Sequence, residues 1–529
     1  MYLRRALALC LLTLSACGGG GGGSAGIGGN GGGSGSGGGG GSGSGTTYTP
    51  GVFQPSTNFA AHCAAPRAGT SDVTGTATDE NNWLRSWTNE LYLWYREVPD
   101  LNPASYTTPN YFPLLMTSAT TASGKPKDQF HFTYKTSDWV ALSQSGQEVG
   151  YGVQWALIST TPPRRAVIAF VEPSAPSTTL SQNLSRGEEI LTIDGVDLVN
   201  AATQAGVNTL NAGLAPSTAG ESHTFGIKEL NGTTRTVTLQ AGTVTNSPVP
   251  TVKVLPTSLG PVGYVLFNDH LATSEAALYN AITTLKAAAV TDLVLDIRYN
   301  GGGYLDIASE LAYMIAGPGP TAGRTFELTQ FNDKYPNTDP VNGGAITPVT
   351  FHSLSLGFAS GLLAKNVPLP TLNLPRVYVL TGNGTCSASE AIINGLRGVD
   401  VNVIQVGATT CGKPYGFFAP DNCGTTYFSI QFRGVNNKGF GDYADGFSPA
   451  LSPTLPTQLP GCAMDDDFTH QLGDVGENRL EAALGYRISG QCVAMQTSTP
   501  QSASGKPLSS VEAAVIPKSV WRTNRIMRQ

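Results

Sequence analysis

The sequence predicts a multidomain α/β protein: a helical N-terminal segment, a small β-rich domain, and an α/β core with a mainly parallel sheet. Three observations carry this. Residues 250–490 alternate apolar strand-like runs with helix-like runs, the pattern that builds parallel sheets covered by helices. Residues 146–244 hold short strands separated by turn residues. Residues 48–143 open with one strongly patterned helix and continue into a proline-interrupted stretch. A length of 529 residues suits about three such units.

Composition narrows the class. Of 65 glycines, 20 fall within the 28 residues from Gly18 to Gly45, so the excess is one low-complexity segment and the remainder is globular. Charged residues are only 13%, against an ordinary ~25%, which gives the low-charge, Thr/Ser/Asn-rich surface common in exported proteins. A net charge of −6 excludes a nucleic-acid partner that needs a basic face. No apolar run reaches the ~18 residues of a membrane-spanning helix.

Residues 1–17 read as an export signal: Arg4 and Arg5 form the basic start, and residues 6–14 the short apolar stretch. Leu14-Ser15-Ala16-Cys17 resembles the lipobox of bacterial lipoproteins. That resemblance implies that Cys17 becomes the first mature residue and carries the lipid; a plain signal peptide cut nearby is the alternative. Gly18 after the cysteine, rather than Asp, implies an outer-membrane lipoprotein of a Gram-negative-type envelope, its body in the periplasm or at the cell surface. Residues 18–47 are then a tether with a root-mean-square span of roughly 30 Å. Beyond Cys10 and Cys17, six cysteines remain: Cys63, Cys386, Cys411, Cys423, Cys462 and Cys492. An even set in an exported chain points to disulfides whose pairing the sequence leaves open. No pair has the spacing of a zinc site, so neither a metal nor another cofactor is implied.

Within residues 48–143, the spacing predicts a helix over 78–97, capped by Thr78, with Asp79 and Glu80 at its positive end. Trp83, Leu84, Trp87, Leu91 and Trp94 fall on one stripe, a core face rather than a ligand box. Pro99, Pro103, Pro109 and Pro113 break the chain after it.

In the second segment, strands are expected at 151–157, 166–171, 189–193 and 234–239. Arg186-Gly187-Glu188-Glu189-Ile190-Leu191-Thr192-Ile193-Asp194-Gly195 is a turn, a strand and a further turn. Together with Gly150-Tyr151-Gly152-Val153 upstream, this run resembles a PDZ domain. Such glycines let backbone N–H groups converge on a terminal carboxylate while the peptide adds as a strand to the sheet edge.

In the third segment, strands are expected at 263–267, 292–297, 376–381 and 403–407, with helices over 273–288 and 387–396. Asp296-Ile297-Arg298-Tyr299-Asn300-Gly301-Gly302-Gly303 joins a strand to a helix; its glycines can turn N–H groups toward a developing oxyanion. It lacks the ending of a phosphate loop. Ser387-Ala388-Ser389-Glu390 starts a helix after a strand and a turn, which suits an exposed nucleophile. Ser-x-x-Glu is equally a capping box, and alone it reads as a cap. Lys413, flanked by Gly412, follows the next strand; a parallel unit returns its loop to the sheet edge that holds Ser387. A buried Lys can act as a base toward Ser, whereas a Gly-flanked Lys taken alone is ordinarily a surface residue.

In this order and behind a PDZ-like domain, the three motifs resemble the carboxyl-terminal processing peptidases, also called tail-specific proteases, over residues 146–460. The resemblance implies a crotonase-like core and a serine endopeptidase with a Ser/Lys dyad: Ser387 the nucleophile, Lys413 its base, and the N–H groups of Ala388 and of Gly301 or Gly302 the oxyanion hole. Glu390, Asp296 and Arg298 would support the site. Gly150, Tyr151, Gly152 and Val153 would bind the free, apolar C-terminus of a protein or peptide substrate. Residues 441–449, ending Gly446-Phe447-Ser448-Pro449, match the family's closing strand. Two positions depart: Phe417 stands where many members place a Lys-orienting Gln, and Ala450 where Asp is usual.

Cys386 as a thiol nucleophile would need a nearby His, and none is close in sequence. As half of a disulfide, its natural partners are Cys411 and Cys423; a bridge to Cys411 would tie the Ser loop to the Lys loop. His270, ending the first core strand, is the one candidate for a conventional His base, with a structural His as the alternative reading. Residues 491–529 form a basic tail without hydrophobic periodicity. A non-catalytic, PDZ-bearing peptide-binding lipoprotein is the competing function.

Overall fold

Seven strands make the central sheet, in the order Thr251–Leu255, Val262–Leu266, Asp292–Asp296, Arg376–Thr381, Asn402–Gly407, Gln458–Ala463 and Ser448–Ala450. Only Thr251–Leu255 runs antiparallel to its neighbour; every other pair is parallel. The structure is a computed structural model that describes residues 48–492 and 525–526. The export signal, the tether and most of the basic tail, Cys17 included, lie outside the described residues.

The near-continuous apolar strands follow from cover on both faces. Val265, Leu293, Leu295, Val377, Val379 and Val403 point to the side holding helices Ser274–Ala287, Leu305–Ala316 and Ala388–Gly398. Tyr264, Leu266, Val294, Tyr378, Leu380 and Ile404 alternate to the other side, under helix Asn478–Ser489. Two strand–helix–strand units place the functional loops. Val262–Leu266 crosses by Ser274–Ala287 to Asp292–Asp296, and Arg376–Thr381 crosses by Ala388–Gly398 to Asn402–Gly407. Asp296 is in register with Leu380 and Thr381 with Gly407, so the loops after these strands leave one edge of the sheet.

The N-terminal helix is Ala77–Leu91, shorter than the expected 78–97. Its cap is Thr76, not Thr78: Asp79 N–H donates to Thr76 Oγ1 and Thr76 N–H to Asp79 Oδ2, a reciprocal box. The helix ends after Leu91, and Trp94 leaves the stripe to precede a 3₁₀ turn, Tyr95–Glu97. Trp83 and Trp87 stack 5.1 Å apart in a cluster with Tyr427 of the core. Strand Phe132–Lys135 pairs with Thr425–Phe428, and the Cys63–Cys423 disulfide adds a covalent tie between the same parts of the chain.

Between them in the sequence lies an antiparallel sheet in the order Thr234–Gln240, Ser222–Lys228, Glu189–Ile193, Arg165–Val171 and Val153–Ser159, with Val196–Asp197 beside Glu189–Ile193. Strand Ser222–Lys228 and helix Gln204–Leu214 were not anticipated from sequence. The helix packs Leu210 and Leu214 into a core with Ile193 and Phe225. Val153–Ser159 is the terminal strand, paired only with Arg165–Val171 among the described residues.

Candidate active site

Three loops from the C-terminal edge of the sheet converge, where open α/β sheets ordinarily hold their ligands. The first follows Asp292–Asp296. Asn300 Oδ1 accepts the N–H of Gly302 at 3.0 Å, and Asn300 Nδ2 donates to Phe267 O. The Gly302 N–H is thus bonded within its own loop. Gly303 sits at φ +134°, and a Cβ there would lie 2.4 Å from His270 O, so no other residue fits without displacing backbone.

The second loop carries Ser387, completely buried, at φ 57° and ψ −111°. An ordinary helix cap lies in the extended region, and a positive φ in a non-glycine residue costs free energy that local structure must hold in place. The four residues do form a capping box, and the positive φ of Ser387 is what they carry beyond an ordinary cap. Within the box, Ser387 N–H donates to Glu390 Oε2 at 2.9 Å. Asn300 O accepts from Cys386 N at 3.1 Å and from Ser389 Oγ at 3.0 Å, joining this loop to the glycine loop.

The third loop brings Lys413, also fully buried, rather than the surface residue its flanking glycine suggests. Its Nζ lies 4.5 Å from the centroid of the Phe130 ring and 4.8 Å from that of Phe417. Glu390 links the second and third loops. Its Oε2 accepts from Ser387 N and from Lys413 N at 2.8 Å; its Oε1 accepts from Gly412 N at 2.9 Å and Thr410 Oγ1 at 2.5 Å. Burial pushes the Glu390 carboxyl up, against the pull of these four donors. The Cys386–Cys411 disulfide ties the same loops covalently, leaving Cys386 no thiol to act as a nucleophile. Cys386, Glu390 and Cys411 cluster closely, but both sulfurs are spent in that bond. The closing strand Ser448–Ala450 reaches the Lys loop through Phe447, whose O accepts from Thr410 N and whose N donates to Thr410 Oγ1.

Beneath the loops lies a buried charge cluster. Arg298 donates to Asp296 at 2.9 Å, to Asp466 at 2.7 Å and to Glu477 at 2.7 and 2.9 Å. Asp466 also accepts from Arg186 of the small sheet, which bonds Tyr299 Oη as well. Burial raises the Asp466 carboxyl, but Arg479, Arg186 and Arg298 outweigh it and hold the group below the usual carboxylate range. Asp296 and Arg298 thus brace the glycine loop and sit below it. His270 is committed to the same loop: its Nδ1 lies 3.0 Å from Asn300 Oδ1 and its backbone N–H donates to Gly302 O. Since Asn300 Oδ1 is an acceptor here, Nδ1 carries the proton. Burial pushes the ring down to about 3, against the Asn300 and Gly302 hydrogen bonds. At neutral pH His270 is a neutral, structural histidine.

Before the small sheet, Gly150 ends strand Gln147–Gly150, which pairs with Gly242–Thr245; buried Tyr151 and Gly152 turn the chain, and Val153 opens the terminal strand of the small sheet. The Trp155 indole N–H donates to Leu214 O, pinning that strand to the end of helix Gln204–Leu214.

Phe130, Thr410, Asp466 and Glu477 were not singled out by sequence. They come from separate segments, and only the tertiary contacts bring them to Lys413, Glu390 and Arg298.

Residues 261–416 match the family described as peptidase family S41. The carboxy-terminal processing protease CtpA of Bacillus subtilis is 24% identical over 233 residues, 43% of this chain and 43% of that protein. The chain thus spans less than half the length of that curated relative. A crystal structure of an S41 protease from Bacteroides fragilis superposes with a TM-score of 0.54 at 24% identity, over 77% of this chain and 97% of that one. The photosystem II D1 C-terminal processing protease gives a TM-score of 0.41 at 20% identity, over 73% of this chain and 94% of the other. The family match over residues 261–416 and the similarity to CtpA agree with the resemblance to carboxyl-terminal processing peptidases drawn from the motifs.

Proposed function

We propose, from the S41 match over residues 261–416 and the geometry of the three loops, that this chain is a serine endopeptidase cleaving proteins at or near their C-termini. Ser387 is the nucleophile and Lys413 the base that takes its proton. The carbonyl carbon is attacked by Ser387 Oγ, the oxyanion is met by the N–H groups of Ala388 and of Gly301 or Gly302, and the acyl-enzyme is then hydrolysed. The observation that carries this reading is the strained Ser387, held against the Lys413 loop by one buried carboxylate and one disulfide. A cap alone needs none of that.

The base needs its lone pair. Removing an ammonium from water costs several kcal/mol, while an aromatic contact returns about 2. Lys413 is completely buried beside two rings, out of bulk water, as a base acting within a closed site would be. A peptide substrate would lie extended beside the glycine loop. Gly303–Tyr304 already accepts Arg525–Ile526 of the same chain as a parallel strand, which supports strand addition there.

The small sheet acts in this reading as a PDZ domain. Gly150, Tyr151, Gly152 and Val153 take the free, apolar C-terminus of the substrate, which extends the exposed edge of Val153–Ser159. Arg186 links that domain to Asp466 and Tyr299, one hydrogen bond from the loop that carries the oxyanion donor. Lipidation at Cys17 and residence in a bacterial envelope complete the proposal; they rest on the sequence.

The test is cleavage of unfolded proteins and of peptides with a free apolar C-terminus, beside amidated copies, by residues 48–529. Cleavage lost in Ser387→Ala and in Lys413→Ala, and weakened by amidation, is the expected result. Carboxylate-dependent binding without cleavage would instead favour a non-catalytic peptide-binding lipoprotein.

A further inference from the structure

We propose that Phe130 and Phe417 form an aromatic clamp that positions the Lys413 amine, and that the N-terminal segment, through Phe130, completes the base site of the peptidase core. This rests on Lys413 being the base.

The two rings come from different parts of the chain. Phe417 follows Lys413 by four residues and is fully buried, packed edge-on against Phe428 at 5.2 Å and Phe132 at 6.4 Å. Its own position is thus fixed by aromatic neighbours. Phe130 belongs to the segment before the small sheet and is 7% exposed. Asp128 fixes it: Asp128 Oδ1 accepts the Phe130 N–H at 2.8 Å, while Oδ2 accepts from Tyr92 Oη at 2.7 Å, and Asp128 itself is buried. Pairing of Phe132–Lys135 with Thr425–Phe428 carries this turn onto the core. The Nζ-to-centroid distances of 4.5 and 4.8 Å lie inside the roughly 6 Å range in which a ring face attracts a cation.

A ring face restrains an amine in a way that suits a base. It attracts the ammonium through its quadrupole without a lone pair or carboxylate that would hold the proton in an ion pair. The clamp holds the four-carbon side chain in one place and moderates the cost of the charged state that forms when Ser387 gives up its proton. It also makes the N-terminal segment part of the site: a core without Phe130 would lose one of the two rings against the amine.

The experiment compares Phe417→Leu, Phe130→Leu, the double variant, Phe417→Tyr and Lys413→Ala in the full chain, with thermal unfolding of each as a folding control. Each leucine variant is expected to lower kcat about tenfold with little change in KM. Each is also expected to move the acid limb of the kcat/KM profile to lower pH by about half to one unit, because the ammonium loses a favourable contact. Phe417→Tyr, which keeps the ring face, should restore both. Asp128→Asn, which weakens the hold on Phe130, should reproduce the Phe130→Leu shift in part. If both leucine variants fold and lose activity with an unmoved acid limb, the rings only pack the core and the clamp is refuted. If Lys413→Ala remains active, the dyad itself is wrong and the clamp falls with it.

Discussion

Glu390 is the residue whose replacement tests the site most sharply, because its two oxygens accept from four donors on the Ser387 and Lys413 loops. In Glu390→Gln the side-chain carbonyl can keep the Oε2 position and its bonds from Ser387 N and Lys413 N. The amide nitrogen then takes the Oε1 position. Thr410 Oγ1 can reverse its role and accept from that nitrogen, since a hydroxyl both donates and accepts. Gly412 N–H cannot, so one buried donor loses its acceptor, at a cost of about 1–3 kcal/mol. Loss of charge weakens the remaining bonds, while relief from burying a carboxylate, visible in its raised titration, offsets part of the loss. The expected net destabilisation is about 1–3 kcal/mol. Because Glu390 sets the distance between the Ser387 and Lys413 loops, kcat should fall by roughly 10- to 100-fold, with a much smaller change in KM. Glu390→Ala orphans all four donors and should unfold the site. The assay is steady-state cleavage with urea unfolding on the same preparations. Wild-type kcat and stability in Glu390→Gln would refute the reasoning, since they would mean the carboxylate is not clamping the loops.

Three further outcomes follow from the same geometry. The Cys386–Cys411 bond closes a loop across a sequence separation of 25, so reduction should cost about 3 kcal/mol. It should also lower kcat reversibly, and full activity in Cys411→Ser would show that Glu390 alone suffices. Arg298→Met removes one cation from three carboxylates and should cost about 3–5 kcal/mol, read by urea unfolding; Asp296, Asp466 and Glu477 would remain buried without it. His270 titrates near 3 when folded, far below an unfolded histidine, so the unfolded chain binds the extra proton. Stability should therefore fall as pH drops from about 6.5 toward 3. His270→Gln should flatten that slope, and an unchanged slope would show that the ring is not held neutral.

The local pattern of the chain was sufficient for much of this protein. Strand Arg376–Thr381 and strand Glu189–Ile193 lie at their expected bounds, because a continuous buried strand announces itself as an apolar run between turns. Parallel return of the chain was enough to bring Ser387 and Lys413 to one sheet edge, since a crossover unit leaves little freedom in where its loops emerge. Other features depended on contacts between distant segments. Ser387-x-x-Glu390 is the same four letters as a cap; only the φ of Ser387 and the approach of Gly412 and Lys413 to Glu390 distinguish the two. Cys411 and Cys423 were equivalent partners for Cys386 until strand Asp421–Asn422 and its turn carried Cys423 away to Cys63. The hydrogen bond from Gly302 N–H to Asn300 Oδ1 within the glycine loop is likewise a product of the folded loop and not of the letters. Phe130, some 280 residues before Lys413, carries no sequence signal at all. Periodicity and spacing encode which face a residue presents within its own element; which atom it meets across the fold is set by packing, and packing is a property of the whole chain.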